Sequence, residues 1–340
     1  MHKGTAVFLG AAVLALAGSI PGIAQATWDV TRTMHIGGEG GWDYVTVDGA
    51  AHRLFVTRTT HTQVIDADSG RVLGDIPGQK RSHGVAIVPA VGRGFITDGG
   101  GEGAIVIFDL KTYTVISRLP TMPDSDGIIY DKGTNTVLAV SGDKGKLMMF
   151  KPDIDPANGK VDSIDLGGAP EFLAADGAGK VFINLEDKDV VAEVDLNARK
   201  VLARWPVTPG GRPVGLALDR KTHRLFIGCR KPQKLVVMST DDGKVLGSAP
   251  IGAGVDATAF VAGQAFASCG DGSLTVAAEK GGKFVVEQTV KTPNGARTLS
   301  VDEASYKIYL PTAEFEPAAV ANERPKMKPD TFMIVEVGHK

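Results

Sequence analysis

Apolar residues along this chain arrive in short runs, each cut off by a cluster of Gly, Asp, Asn or Pro. One run has a fixed grammar: an aromatic or aliphatic residue, a small or branched one, commonly a β-branched one, then a polar one. It recurs as FVTR (55–58), FITD (95–98), LAVS (138–141), FINL (182–185), FIGC (226–229), FASC (266–269) and YLPT (309–312), at intervals of 40 to 44 residues. A second run follows, such as TQVID (62–66), AIVIFDL (104–110) or VVAEVDL (190–196), then a turn, then a third run such as RVLGDIP (71–77) or KVLARWP (200–206). Branched and aromatic residues bounded by turn formers predict strands. Seven copies of a period in the low forties, each with four short strands, predict an all-β chain folded as a seven-bladed β-propeller with four-stranded blades.

The two ends of the pattern fit together. TWDVTRTMHIGG (27–38) has the form of a third-type run yet stands ahead of the first copy, while the last copy stops at TFMIVEV (331–337) without an outer strand. The N-terminal strand is therefore expected to complete the C-terminal blade and close the ring, so that no sheet edge is left open there.

The copies resemble the bacterial YVTN-repeat, or YncE-like, β-propeller family, whose name motif aligns with FVTR, FITD, FINL and YLPT. GGWDYVTVD (40–48), GGAPEF (167–172), FINLED (182–187), GVDATAF (254–260), GARTLSVD (295–302) and LPTAEF (310–315) extend the resemblance over the chain beyond residue 26. It implies the same seven-bladed fold. It implies no single activity, because binding modules, lactonases and lyases share this architecture.

Residues 1–26 follow a different pattern. His2 and Lys3 precede an apolar run from Ala6 to Ala17, and Ala24-Gln25-Ala26 offers the small-x-small site of a signal peptidase. The expectation is a cleaved secretory signal, a mature propeller domain over 27–340, and a periplasmic or extracellular location. No later stretch is apolar enough to span a bilayer. Lys and Arg number 37 against 39 Asp and Glu, a balance that argues against a nucleic-acid partner. A monomer that takes a small molecule or a protein at its channel face is expected. Cys229 and Cys269, the two cysteines, hold the same slot in adjacent copies, where side chains point in the same sense around the ring. Two buried thiols are expected rather than a disulfide.

Candidate chemistry comes from one slot of the repeat. Twelve positions ahead of most copies, where the channel-lining strand begins, stand Asp43, His83, Asp126, Val214 and Arg297, and motif alignment puts Glu171 and Asp256 in the same slot. Four carboxylates, an imidazole and a guanidinium thus converge on the channel mouth, where crowded like charges raise each other's pKa unless something pairs with them. The expected ligand set is Asp43, His83, Asp126, Glu171, Asp256 and Arg297. Of these, His83, Asp43, Asp126 and Glu171 suit a divalent cation such as Ca²⁺, Mg²⁺, Mn²⁺ or Zn²⁺. In PDSDG and AGVDA, Asp126 and Asp256 also suit a structural role as acceptors of loop N–H groups. Val214 shows that the loop itself does not demand a carboxylate.

Other features add less. Trp42 and Tyr44 flank the ring and suit either ligand stacking or blade packing. Glu186, Asp187 and Asp189 read as a solvated acidic turn on the ring's face. Residues 313–329, AEFEPAAVANERPKMKP, form a Pro-rich insertion able to lie over the mouth as a flap or to act as a spacer. No GxSxG, HExxH, CxxC or phosphate-cradling motif is present. The catalytic residues are therefore unassigned, and a non-catalytic binding or scaffold protein is expected. The alternative is a metal-dependent hydrolase or lyase of lactone-like substrates, with His83 or a ring carboxylate as general base.

Overall fold

The computed structural model describes residue 1, residues 27–317 and residues 325–340. The expected export signal therefore lies outside the described residues, Met1 apart, as does the middle of the 313–329 insertion. Among the described residues, the strands form seven four-stranded antiparallel sheets, the blades of a β-propeller. In blade order, the innermost strands are Val45–Asp48, Ser82–Val88, Ser125–Asp131, Pro170–Ala175, Pro213–Asp219, Val255–Val261 and Ser300–Asp302. No helix of the described residues is long and apolar enough to cross a membrane.

The seventh blade is closed as expected. Trp28–His35 pairs antiparallel with Met333–His339, with Trp28 opposite His339 and His35 opposite Met333. Trp28 anchors this seam: it is 1% exposed, its Nε1 donates to Gln264 Oε1 at 2.8 Å, and its ring meets Phe266 edge-on. The closing strand is thereby tied to the sixth blade as well as to the seventh.

The core consists of seven apolar clusters, each shared by two adjacent blades. This explains the grammar of the repeated four-residue segment. Side chains alternate across a strand, so the first and third positions face the next blade while the second and fourth face the other way. Phe55 packs toward the second blade and Val56 toward the seventh; Phe95 packs toward the third and Ile96 toward the first. The fourth position fastens the loop by which the chain enters its own blade. Asp98 accepts from the N–H groups of Lys80 and Arg81, Ser141 donates to the Pro123 carbonyl and Thr312 to that of Asn294.

Cys229 and Cys269 fill this same fourth slot as free, buried thiols, each pushed up to about 12 by burial. Arg58 makes the fullest use of it. Wholly buried, its guanidinium lies 3.7 Å from the centroid of Phe332 and donates to the carbonyls of Gly37, Gly38, Glu39, Gly40 and Gly41. Those five carbonyls belong to the loop that delivers Trp42 and Asp43 to the channel.

Candidate functional site

Two devices set the ring residues at the channel mouth. In the second to sixth blades the residue in question is the second of its inner strand, and the pairing register slips just there, between Ser82 and Val85, Ser125 and Ile128, Pro170 and Leu173, Pro213 and Gly215, and Val255 and Ala257. A bulge frees a residue from the ladder and re-aims its side chain. The freed backbone is then clamped from the preceding blade by the third residue of the repeated segment. Thr57 Oγ1 donates to the His83 carbonyl (2.7 Å), Thr97 Oγ1 to that of Asp126 (2.6 Å), Asn184 Nδ2 to that of Val214 (2.9 Å) and Ser268 Oγ to that of Arg297 (2.5 Å). Asp43 is held by Thr298 Oγ1 at 2.7 Å.

All six predicted residues, Asp43, His83, Asp126, Glu171, Asp256 and Arg297, line one cavity of about 1220 Å³. They divide into two walls. On the first, His83 Nδ1 lies 2.6 Å from Asp43 Oδ2 and 3.6 Å from Asp126 Oδ1, while Asp126 Oδ1 and His83 Nε2 are buried without a hydrogen-bond partner. On the second, Arg297 Nε donates to Asp256 Oδ2 at 2.6 Å, and Arg230 Nη2 donates to the other oxygen, Asp256 Oδ1. Arg230 Nη1 also reaches Glu186 Oε1 (3.2 Å), to which Arg212 Nη2 donates at 2.7 Å. Glu171 completes that wall through a carboxyl–carboxylate hydrogen bond to Glu186. Arg297 Nη2, 3.6 Å from Asp43 Oδ1, joins the walls.

This arrangement corrects two expectations. Glu171 does not join Asp43, His83 and Asp126, whose donor atoms all lie within 4.8 Å of one another, because its partner is Glu186. Glu186 is no solvated turn residue: its side chain is 15% exposed and held by two arginines. Arg230 was not singled out from the sequence. The signal was present, since Glu186 and Arg230 directly follow FINL and FIGC, where the other copies have Thr59, Gly99, Gly142, Gly270 and Ala313. Asp187 and Asp189 do serve the turn, accepting from the N–H groups of Ala169 and Arg212.

Floor and roof are aromatic. The position after the ring residue is Gly84, Gly127 and Gly215 in three blades but Tyr44 and Phe172 in the first and fourth, and these two rings meet across the channel at 5.2 Å. Tyr44 borders both the mouth and a more apolar cavity of about 480 Å³ beyond it. Above the ring, Glu314–Glu316 and Lys326–Lys328 run antiparallel, bonded from Glu316 N to Lys326 O and from Lys328 N to Glu314 O. Phe315, Pro325 and Met327 of this hairpin line the mouth cavity with Trp42, which lies 5.9 Å from the Phe315 ring. The described part of the insertion thus roofs the site.

Burial and charge set the protonation of the walls. Burial raises Asp126 to about 7, against the pull of His83. His83 itself is raised: burial opposes its charge, but the hydrogen bond to Asp43 and the Asp126 and Asp43 carboxylates outweigh it. Burial and the bond to Glu186 push Glu171 up to about 9, so at neutral pH it carries the shared proton. Glu186 stays below its usual range in spite of burial, because Glu171, Arg230 and Arg212 favour the anion.

No family model matches the chain, and no curated protein matches it. Solved structures do. A structure of RRP9 WD40 repeats matches with a TM-score of 0.76 at 12% identity, covering 92% of this chain and 100% of that one. A chain from the Mitotic Checkpoint Complex matches with a TM-score of 0.73 at 13% identity over 96% of this chain and 98% of that one. A chain of Kuenenia stuttgartiensis hydrazine synthase matches with a TM-score of 0.68 at 12% identity, over 86% and 96%. At such identities these likenesses show the seven-bladed, WD40-like propeller fold alone.

Proposed function

We propose that this chain is an exported binding protein of the YVTN-repeat kind that holds a small polar organic ligand in the channel mouth. One observation carries the reading. Charged side chains from all seven blades, together with an aromatic and aliphatic roof, line one cavity of about 1220 Å³, roomier than the roughly 300–1,000 Å³ of most small-molecule sites. Burying charge is costly unless it is partnered, and a propeller needs no charged ring to close, as Val214 in the same slot demonstrates. The apolar leader at 6–17 and the cleavage-like Ala24-Gln25-Ala26 support export.

The test is a thermal-shift screen of amines, amino acids, carboxylic acids and sugars, followed by calorimetry on the hits. A true ligand should bind once per chain and lose at least about tenfold in affinity in Arg297→Gln, because a charged hydrogen bond is worth roughly 1.5–3 kcal/mol. A screen without hits, or hits indifferent to Arg297→Gln, would remove the proposal.

A further inference from the structure

We infer that Asp43, His83 and Asp126 form a centre for one first-row divalent transition ion, with Zn²⁺ bound more tightly than Mn²⁺ and Ca²⁺ most weakly. The inference rests on reading the channel mouth as a ligand site and names one of its occupants.

Geometry comes first. Each residue offers one donor atom, and the three donors lie within 4.8 Å of one another. Ligands held about 2.1 Å from one ion sit roughly 3 to 3.4 Å apart. The Nδ1 to Asp126 Oδ1 distance of 3.6 Å is close to that, and the 2.6 Å contact between Nδ1 and Asp43 Oδ2 must open by less than about 1 Å. An ion would take the place of the hydrogen between those two atoms.

The second observation is what the wall lacks. Asp126 Oδ1 is buried with no donor, and the His83 side chain, 8% exposed, turns Nδ1 toward both carboxylates. The opposite wall shows what a satisfied carboxylate in this mouth looks like: Asp256 has Arg230 and Arg297, and Glu186 has Arg212 and Arg230. A buried acceptor without a donor costs about 1–3 kcal/mol, and a cation removes that cost.

The third observation is preorganisation. The carbonyls of these same three residues are the ones clamped by threonine hydroxyls, Thr298 on Asp43, Thr57 on His83 and Thr97 on Asp126. The three Cα positions are therefore fixed before any ligand arrives, as a metal site requires.

The donor set selects the ion. One imidazole nitrogen and two carboxylate oxygens suit a borderline ion better than Ca²⁺, which takes six to eight oxygens. The remaining coordination positions face the cavity, where an organic ligand or water completes them.

The experiment uses the full chain, stripped by dialysis against a chelator and titrated with Zn²⁺, Mn²⁺ and Ca²⁺ by calorimetry. One Zn²⁺ per chain is expected. Asp126→Asn and His83→Gln should each lower the affinity by at least about tenfold, and Glu171→Gln should stay within about threefold, since Glu171 lies outside the centre. The wild type alone gives an independent readout: Co²⁺ loading should produce hyperfine-shifted imidazole resonances traceable to one ¹⁵N-labelled histidine. Absence of binding up to millimolar Zn²⁺, binding indifferent to both substitutions, or Co²⁺ without a histidine signal would each overturn the centre. An organic hit sensitive to Arg297→Gln, with no ion bound, would sink the cation centre and leave the binding reading intact. An ion bound with no organic hit would do the reverse.

Discussion

The two walls of the channel mouth are built from the same slot of the same repeat, yet they differ in kind. The wall of the fourth to seventh blades is a closed circuit in which Glu171, Glu186, Arg230, Asp256 and Arg297 satisfy one another. The wall of the first three blades is left open, with Asp126 Oδ1 and His83 Nε2 unpartnered. A fully satisfied buried network rigidifies its surroundings, whereas a partly satisfied one carries a standing cost. The first therefore holds itself together while Arg297 still borders the cavity and reaches toward Asp43, and the second leaves open the place where a cation can bind.

Removing one member of the closed wall should have the largest effect. Arg230→Met leaves Asp256 with Arg297 alone and Glu186 with Arg212 and Glu171, each short of one charged donor, and should cost about 1.5–3 kcal/mol in urea denaturation. A loss below about 1 kcal/mol would erase the distinction between the walls. The next effect depends on pH. Because Glu171 is raised to about 9 from 4.5, the folded state binds the extra proton between those values, and its contribution to stability falls as pH rises through that window. Glu171→Gln keeps a donor toward Glu186 and removes the titration. At pH 8 it should exceed the wild type by on the order of 1 kcal/mol, while near pH 4 the two should converge. Thermal melts at both pH values check this, and a difference that does not change with pH would refute it.

On the open wall the change should be smaller. Asp126→Asn removes a carboxylate whose Oδ1 has no hydrogen-bond donor and has His83 Nδ1 only at 3.6 Å, so stability at pH 7 should move by no more than about 1 kcal/mol in either direction. A loss as large as that of Arg230→Met would mean that the open wall is scaffold too. The faintest signal should come from Cys229, which directly precedes Arg230. Both thiols are buried and remain protonated, so native wild type should resist maleimide over hours, and Arg230→Met should admit it measurably faster at Cys229 than at Cys269.

The ring slot was legible in the sequence because a closed repeat turns equal spacing into equal position. Counting along the chain therefore located Asp43, His83, Asp126 and Arg297 together, and motif alignment added Glu171 and Asp256. Counting fixes a slot but not the partner chosen within it. Glu171 could turn toward His83 or toward Glu186, and only the side-chain packing decides that it meets Glu186. Arg230 lies one residue outside the motif that defined the repeat, so a reading confined to conspicuous positions passes over it. Tyr44 and Phe172 were harder still. Their contact joins the first and fourth blades across the channel, and no local spacing encodes a distance through the middle of a ring.

The seam at Trp28 sets an order of events in time. Trp28 and His339 lie roughly 310 residues apart in sequence, and bringing such distant points together costs about 5 kcal/mol of chain entropy. In synthesis the strand Trp28–His35 is made first, and its partner Met333–His339 is made last. Until Met333–His339 is made, the strand has no ladder partner in its own blade. Ring closure is then expected as the final step, with six assembled blades as its template. Pulse-labelled hydrogen exchange during refolding should show the amides of these two strands gaining protection after those of Arg93–Asp98 and Lys180–Leu185. Simultaneous protection would mean that the ring condenses as a whole.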